Sequence, residues 1–145
     1  MGATPPFRTG DPRLPDGAEA ILVVDDEPAV RRLVVSSLLR DGHRVLEAGS
    51  AVEARLVAMN AHVDLLLTDA TMPGESGLEL AQSLVAERPH LIVVIMSGFT
   101  EESLTIDAAR SPAAVLHKPF TPTELRGRIR QILDSARDNK LHRRS

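Results

Sequence analysis

The chain has 145 residues, enough for one domain with a sizeable core. Its 17 basic and 20 acidic residues give a net charge of −3, which makes no general case for nucleic-acid binding. Three phenylalanines without tyrosine or tryptophan leave little for base stacking, and the lack of cysteine excludes disulfides and thiolate metal sites.

Residues 1–19 are rich in proline and glycine and read as an arm or linker. They hold no apolar signal-peptide core, and Pro6 stands where a myristoylation motif after Gly2 wants Ser or Thr. No apolar run approaches the ~20 residues of a membrane span. A soluble cytoplasmic protein without membrane contact is the expectation.

Ile21-Leu-Val-Val24 reads as a short buried strand that ends in Asp25-Asp26-Glu27. Pro28 suits the first turn of a helix. Val30, Leu33, Val34, Leu38 and Leu39 then recur at helical spacing to about Arg40, and Gly42 closes that helix. Residues 44–48 form a second, more polar strand suited to a sheet edge. Ser50 caps a helix to about Asn60 with Val52, Leu56 and Met59 on one face. Leu65-Leu-Leu67 is too short for a helix and runs through Asp69 into Pro73, Gly74 and Gly77, a buried strand entering a turn-rich loop. A helix with Leu78, Leu80, Ala81, Leu84 and Val85 follows, stopped near Pro89. Leu91-Ile-Val-Val-Ile-Met96 is the most strand-like run and ends at Ser97-Gly98. A short helix is expected over 101–109, then a fifth strand, Ala113–Leu116, ending in His117-Lys118-Pro119. Thr121 caps a last helix with Leu125, Ile129, Ile132 and Leu133, and the polar residues after Asp134 are expected to fray.

Five alternations of apolar strand and helix describe an α/β domain, a doubly wound parallel sheet covered on both faces. The expected organisation is an arm over 1–19, one domain over 20–136 and a polar tail over 137–145. Ligands of such sheets bind outside the carboxyl ends of the strands. Those ends carry Asp25, Asp26, Asp69, Ser97 and Lys118. Converging carboxylates repel one another unless one takes a proton or a cation sits among them, and oxygen ligands suit Mg²⁺. Lys118 and Ser97 are natural partners for a phosphoryl oxygen, and Asp69 is placed as a nucleophile able to form an acyl phosphate. Each group also has a plain role: Asp25-Asp26-Glu27 as helix-capping acids, Asp69 as a loop cap, Ser97-Gly98 and Lys118-Pro119 as turns. Their joint placement at successive strand ends is what favours a site.

Over about Ala20 to Ala136 the sequence resembles the receiver domain of two-component response regulators. The residues that carry the resemblance are Val-Val-Asp25-Asp26-Glu27, Asp69-Ala-Thr-Met-Pro-Gly-Glu-Ser-Gly77, Ser97-Gly98 and Lys118-Pro119-Phe120. It implies a flavodoxin-like five-stranded sheet of order 2-1-3-4-5 and phosphorylation of Asp69 by a histidine kinase or histidine phosphotransfer domain. It also implies Mg²⁺ bound by Asp26, Asp69 and the Thr71 carbonyl, with Asp25 acting through water. By the same resemblance Ser97 is the switch hydroxyl, Lys118 contacts the phosphoryl group, and the Lys118–Pro119 bond is cis. The chain departs from the family at Val115, where receivers carry an aromatic switch residue, and Phe99 is the nearest ring able to shield the site.

Catalysis would be limited to the domain's own phosphorylation and dephosphorylation, and the output would pass to a partner protein. The setting is a stand-alone regulator or a receiver from a hybrid kinase. The other readings are an Mg²⁺-dependent aspartyl-phosphate phosphohydrolase, which wants an acid where Thr71 stands, a flavodoxin-like cofactor binder, and a receiver-like interaction module that takes no phosphate.

Overall fold

The computed structural model describes residues 19–98 and 114–144. Five parallel strands, β1 (Ala20–Val24), β2 (Arg44–Ala48), β3 (Leu65–Asp69), β4 (Ile92–Ser97) and β5 (Ala114–His117), form one sheet of order β2-β1-β3-β4-β5. Four helices are described: α1 (Pro28–Arg40), α2 (Ala51–Asn60), α3 (Gly77–Glu87) and α4 (Pro122–Arg144). The helix expected over 101–109, and Phe99, lie outside the described residues.

Successive strand side chains alternate between two cores. Ile21 and Val23 of β1, Leu65 and Leu67 of β3, and Val94 and Met96 of β4 join Val34, Leu38, Leu125 and Ile129 under α1 and α4. Leu22, Val24, Leu66, Val93 and Ile95 face the other way, with Ala54, Val57, Leu80 and Leu84 of α2 and α3. Each such buried Leu, Ile or Val contributes about 1.5–3 kcal/mol relative to exposure. Because both faces are covered, β1 is apolar throughout and β3 is apolar until Thr68 and Asp69 at its carboxyl end, whereas the edge strand β2 carries charge along its length at Arg44 and Glu47.

The helix ends follow local chemistry. Pro28 opens α1, and Gly42 takes the left-handed φ of +83° just beyond its last turn. Ser50 Oγ accepts from the Glu53 N–H. Ser76 with Glu79, and Thr121 with Glu124, form reciprocal capping boxes at α3 and α4. The Lys118–Pro119 peptide is cis.

Two expectations are corrected. Val52, Leu56 and Met59 do not face the core: they are 68%, 57% and 74% exposed, and α2 buries Ala51, Ala54, Val57 and Ala58 instead. Small residues let this helix lie close against the sheet, which large side chains would prevent. Leu33 of α1 is likewise exposed, and Val35 takes the buried place beside Val34. The last helix also does not stop near Asp134, since α4 continues to Arg144. None of the described helices is long and apolar enough to cross a membrane.

Candidate functional site

The carboxyl ends of β1, β3, β4 and β5 gather the predicted groups at one end of the sheet. Asp25 follows β1 directly and is fully buried, yet each of its polar atoms is occupied. Its N–H donates to the Ala48 carbonyl at 3.2 Å, and its Oδ1 accepts from the Glu27 N–H at 2.9 Å. Its carbonyl accepts from Arg31 at 2.7 Å. Asp26, the next residue, turns outward and is exposed. Asp69 closes β3 in a buried position. Carboxylate oxygens of Asp25, Asp26 and Asp69 lie within 4.8 Å of one another.

Lys118 reaches this cluster from beyond β5. Its Nζ stands 3.3 Å from Asp69 Oδ1 and 3.4 Å from Asp25 Oδ2. The Lys118 N–H donates to the Ser97 carbonyl at 2.7 Å, so the lysine and the predicted switch hydroxyl are anchored to each other across β4 and β5. Ser97 is buried, and its hydroxyl donates to the Gly98 carbonyl at 3.1 Å. Thr71 is exposed, and its backbone hydrogen bond to the Asp69 carboxylate ties the β3–α3 loop to the site.

The electrostatics fit a site built for positive charge. Burial pushes the Asp69 carboxyl above its ordinary range against the opposing pull of Lys118, and neighbouring Asp25 adds to the rise. Burial would lower the Lys118 ammonium, but Asp69 and Asp25 outweigh it and hold the lysine above its usual value. One ammonium thus pairs with two of three clustered carboxylates, and the remaining negative charge and all-oxygen donor set suit a hard divalent cation.

Three supporting residues hold this site through contacts that are not evident from sequence. Gly77 opens α3 with its backbone against the nucleophile: a Cβ there would stand 1.9 Å from the Asp69 carbonyl oxygen. The glycine in the loop signals a break, not this close approach. Arg55 of α2 grips Glu75 with two donors and reaches Ser83, fixing the loop that carries Thr71. Arg31 links the Asp25 carbonyl to Glu47. Val115, in place of the expected aromatic, is half-buried and pairs with Ile95.

The sequence model of the response regulator receiver domain matches residues 21–130. Among curated proteins the chain is 38% identical over 119 residues to a chemotaxis protein CheY homolog of Campylobacter jejuni, covering 78% of this chain and 91% of that one. It is 34% identical over 119 residues to the DNA-binding transcriptional regulator NtrC of Azospirillum brasilense, covering 81% of this chain. The chain spans only about a quarter to a half of the transcriptional regulators it matches. Among solved structures, the response regulator TrrA of Thermotoga maritima, in complex with Mg²⁺ and BeF, superposes with a TM-score of 0.70. That match has 26% identity and covers 79% of this chain and 98% of the other. Fold, strand-end acids and sequence therefore agree: the chain belongs to the response regulator receiver domain family.

Proposed function

We propose that Asp69 is the phosphoacceptor of a two-component phosphorelay, supplied by a histidine kinase or a histidine phosphotransfer domain and dependent on Mg²⁺. The observation that carries this reading is the convergence of Asp25, Asp26 and Asp69 with Lys118 bridging two of them. An Asp69 carboxylate oxygen attacks phosphorus, the phosphorus–nitrogen bond of the donor phosphohistidine breaks, and the imidazole leaves with its electron pair and takes a proton. The product is an acyl phosphate on Asp69. Asp26, Asp69 and the Thr71 carbonyl would hold Mg²⁺, with Asp25 acting through water. Bound there, the cation supplies the charge that lets an anionic donor approach three carboxylates. Lys118, kept charged by Asp69 and Asp25, exchanges those partners for phosphoryl oxygens, and the Ser97 hydroxyl turns from the Gly98 carbonyl toward the same group.

We assign the receiver unit to residues 20–136, with 1–19 a Pro/Gly-rich arm or linker and 137–145 a polar C-terminal tail. Its catalysis is confined to its own phosphorylation and dephosphorylation, and its output passes to a partner protein in the cytoplasm. A phosphohydrolase reading finds no support at Thr71, which offers no acid two residues after the nucleophile. Incubating wild type and Asp69→Asn with acetyl phosphate, with and without Mg²⁺, and weighing the intact proteins tests the assignment. One phosphoryl group on wild type with Mg²⁺, and none in the other three samples, is expected. Undiminished labelling of Asp69→Asn, or labelling in EDTA, would sink it.

A further inference from the structure

Arg31 sits in the first turns of α1 with most of its side chain covered, and it takes no part in the phosphoryl chemistry described above. Its guanidinium spans two elements. One amino group donates to the Asp25 backbone carbonyl at 2.7 Å, and Nε donates to Glu47 Oε1 on β2 at 3.2 Å. The β2–α2 turn passes close to it: a Cβ at Gly49 would stand 3.2 Å from that same amino group.

The carbonyl that Arg31 holds belongs to the peptide joining Asp25 to Asp26. The orientation of that peptide sets where Asp25, buried, and Asp26, exposed, send their carboxylates. On the opposite side of Asp25, the backbone N–H is already fixed by Ala48. Beyond it, the Asp25 carboxylate holds the Glu27 N–H, and Arg31 clamps the carbonyl of the peptide between them. Glu47 matters for a different reason. An unbalanced guanidinium bonded to the Asp25 carbonyl would oppose a cation at the neighbouring acidic cluster, whereas a guanidinium paired with Glu47 supplies donors with little net charge.

We infer that Arg31 is a positioning residue for the cation site: it fixes the Asp25–Asp26 peptide so that both carboxylates converge with Asp69, while Glu47 neutralises its charge. This rests on the reading that the acidic cluster binds Mg²⁺. Partners that orient metal ligands are commonly worth about 10–100-fold in metal affinity.

The test uses the full chain and two readouts, Mg²⁺ titration followed by backbone amide NMR shifts, and amide exchange of Asp26 and Glu27 in EDTA. Arg31→Met keeps the aliphatic stem and should weaken Mg²⁺ binding about tenfold, and it should speed exchange at Asp26 and Glu27 without metal. Arg31→Lys keeps the charge but cannot span both acceptors, so it should restore little. Glu47→Gln retains an acceptor but unbalances Arg31, and its loss of Mg²⁺ affinity should shrink as salt is raised. Should Arg31→Met unfold, the Glu47→Gln salt dependence and Arg31→Lys exchange decide the matter. Unchanged Mg²⁺ affinity and unchanged Asp26 and Glu27 exchange in folded variants would make Arg31 a packing residue and overturn the inference. A wild type that binds no Mg²⁺ would instead overturn the metal-site reading, and this inference with it.

Discussion

Ionising Asp69 costs the metal-free fold, because burial and the Asp25 charge raise its pKa despite Lys118. A carboxyl with a higher pKa folded than unfolded favours folding most below its unfolded pKa, and that advantage is lost as pH rises through the folded value. Asp69→Asn should therefore unfold at higher urea than wild type in EDTA near neutral pH. The gap should close as pH falls through the carboxylate range. Mg²⁺ should narrow it from the other direction, since ligand that binds only the native state stabilises wild type. An Asn variant less stable than wild type in neutral EDTA would contradict this account. The acids themselves were legible in sequence because each sits where an apolar strand stops, a local signal. Their supports were not: Arg31 and Glu47 are 16 residues apart, and nothing in either segment marks the pair.

At the scale of elements, the strands and helix ends are written in local patterns, and the sheet order follows from the receiver resemblance. The face that α2 buries is not. Val52, Leu56 and Met59 point outward, and Ala51, Ala54 and Ala58 with Val57 lie on the buried side. A periodicity argument follows the largest apolar side chains, but the distance between helix and sheet selects for small ones. The assignment separates two substitutions cleanly. Leu56→Gln should change stability by no more than about 0.5 kcal/mol, as for other surface positions. Ala54→Leu adds volume at a fully buried position and should cost about 1–3 kcal/mol through overpacking. Urea midpoints of the two variants measure this, and a larger loss from Leu56→Gln would restore the face that periodicity suggests.

Across the whole molecule, α1 and α4 are joined by a contact between residues 85 positions apart. Asp41, at the C-cap of α1, accepts from Arg126 Nε at 2.9 Å and from its terminal amino group at 2.7 Å, with Arg130 3.4 Å from the other oxygen. No sequence signal announces a pair at that separation, which exists only once β1 and β5 are placed in one sheet. The Arg126 hydrogen bonds hold the Asp41 carboxyl below its ordinary value against burial, and the Arg126 and Arg130 charges add to the effect. Its sign is opposite to that of Asp69. A carboxyl with a depressed folded pKa stabilises the fold above its unfolded pKa, and that stability is lost as pH falls through the folded value. Arg126→Met should accordingly lower the urea midpoint near neutral pH, and the difference from wild type should shrink as acid protonates Asp41. Raising salt should reduce the difference only in part, because the bond is made by directed donors to a carboxylate whose side chain is 4% exposed. A gap that stays constant from neutral pH to below the carboxylate range would show that Arg126 acts through its aliphatic packing alone.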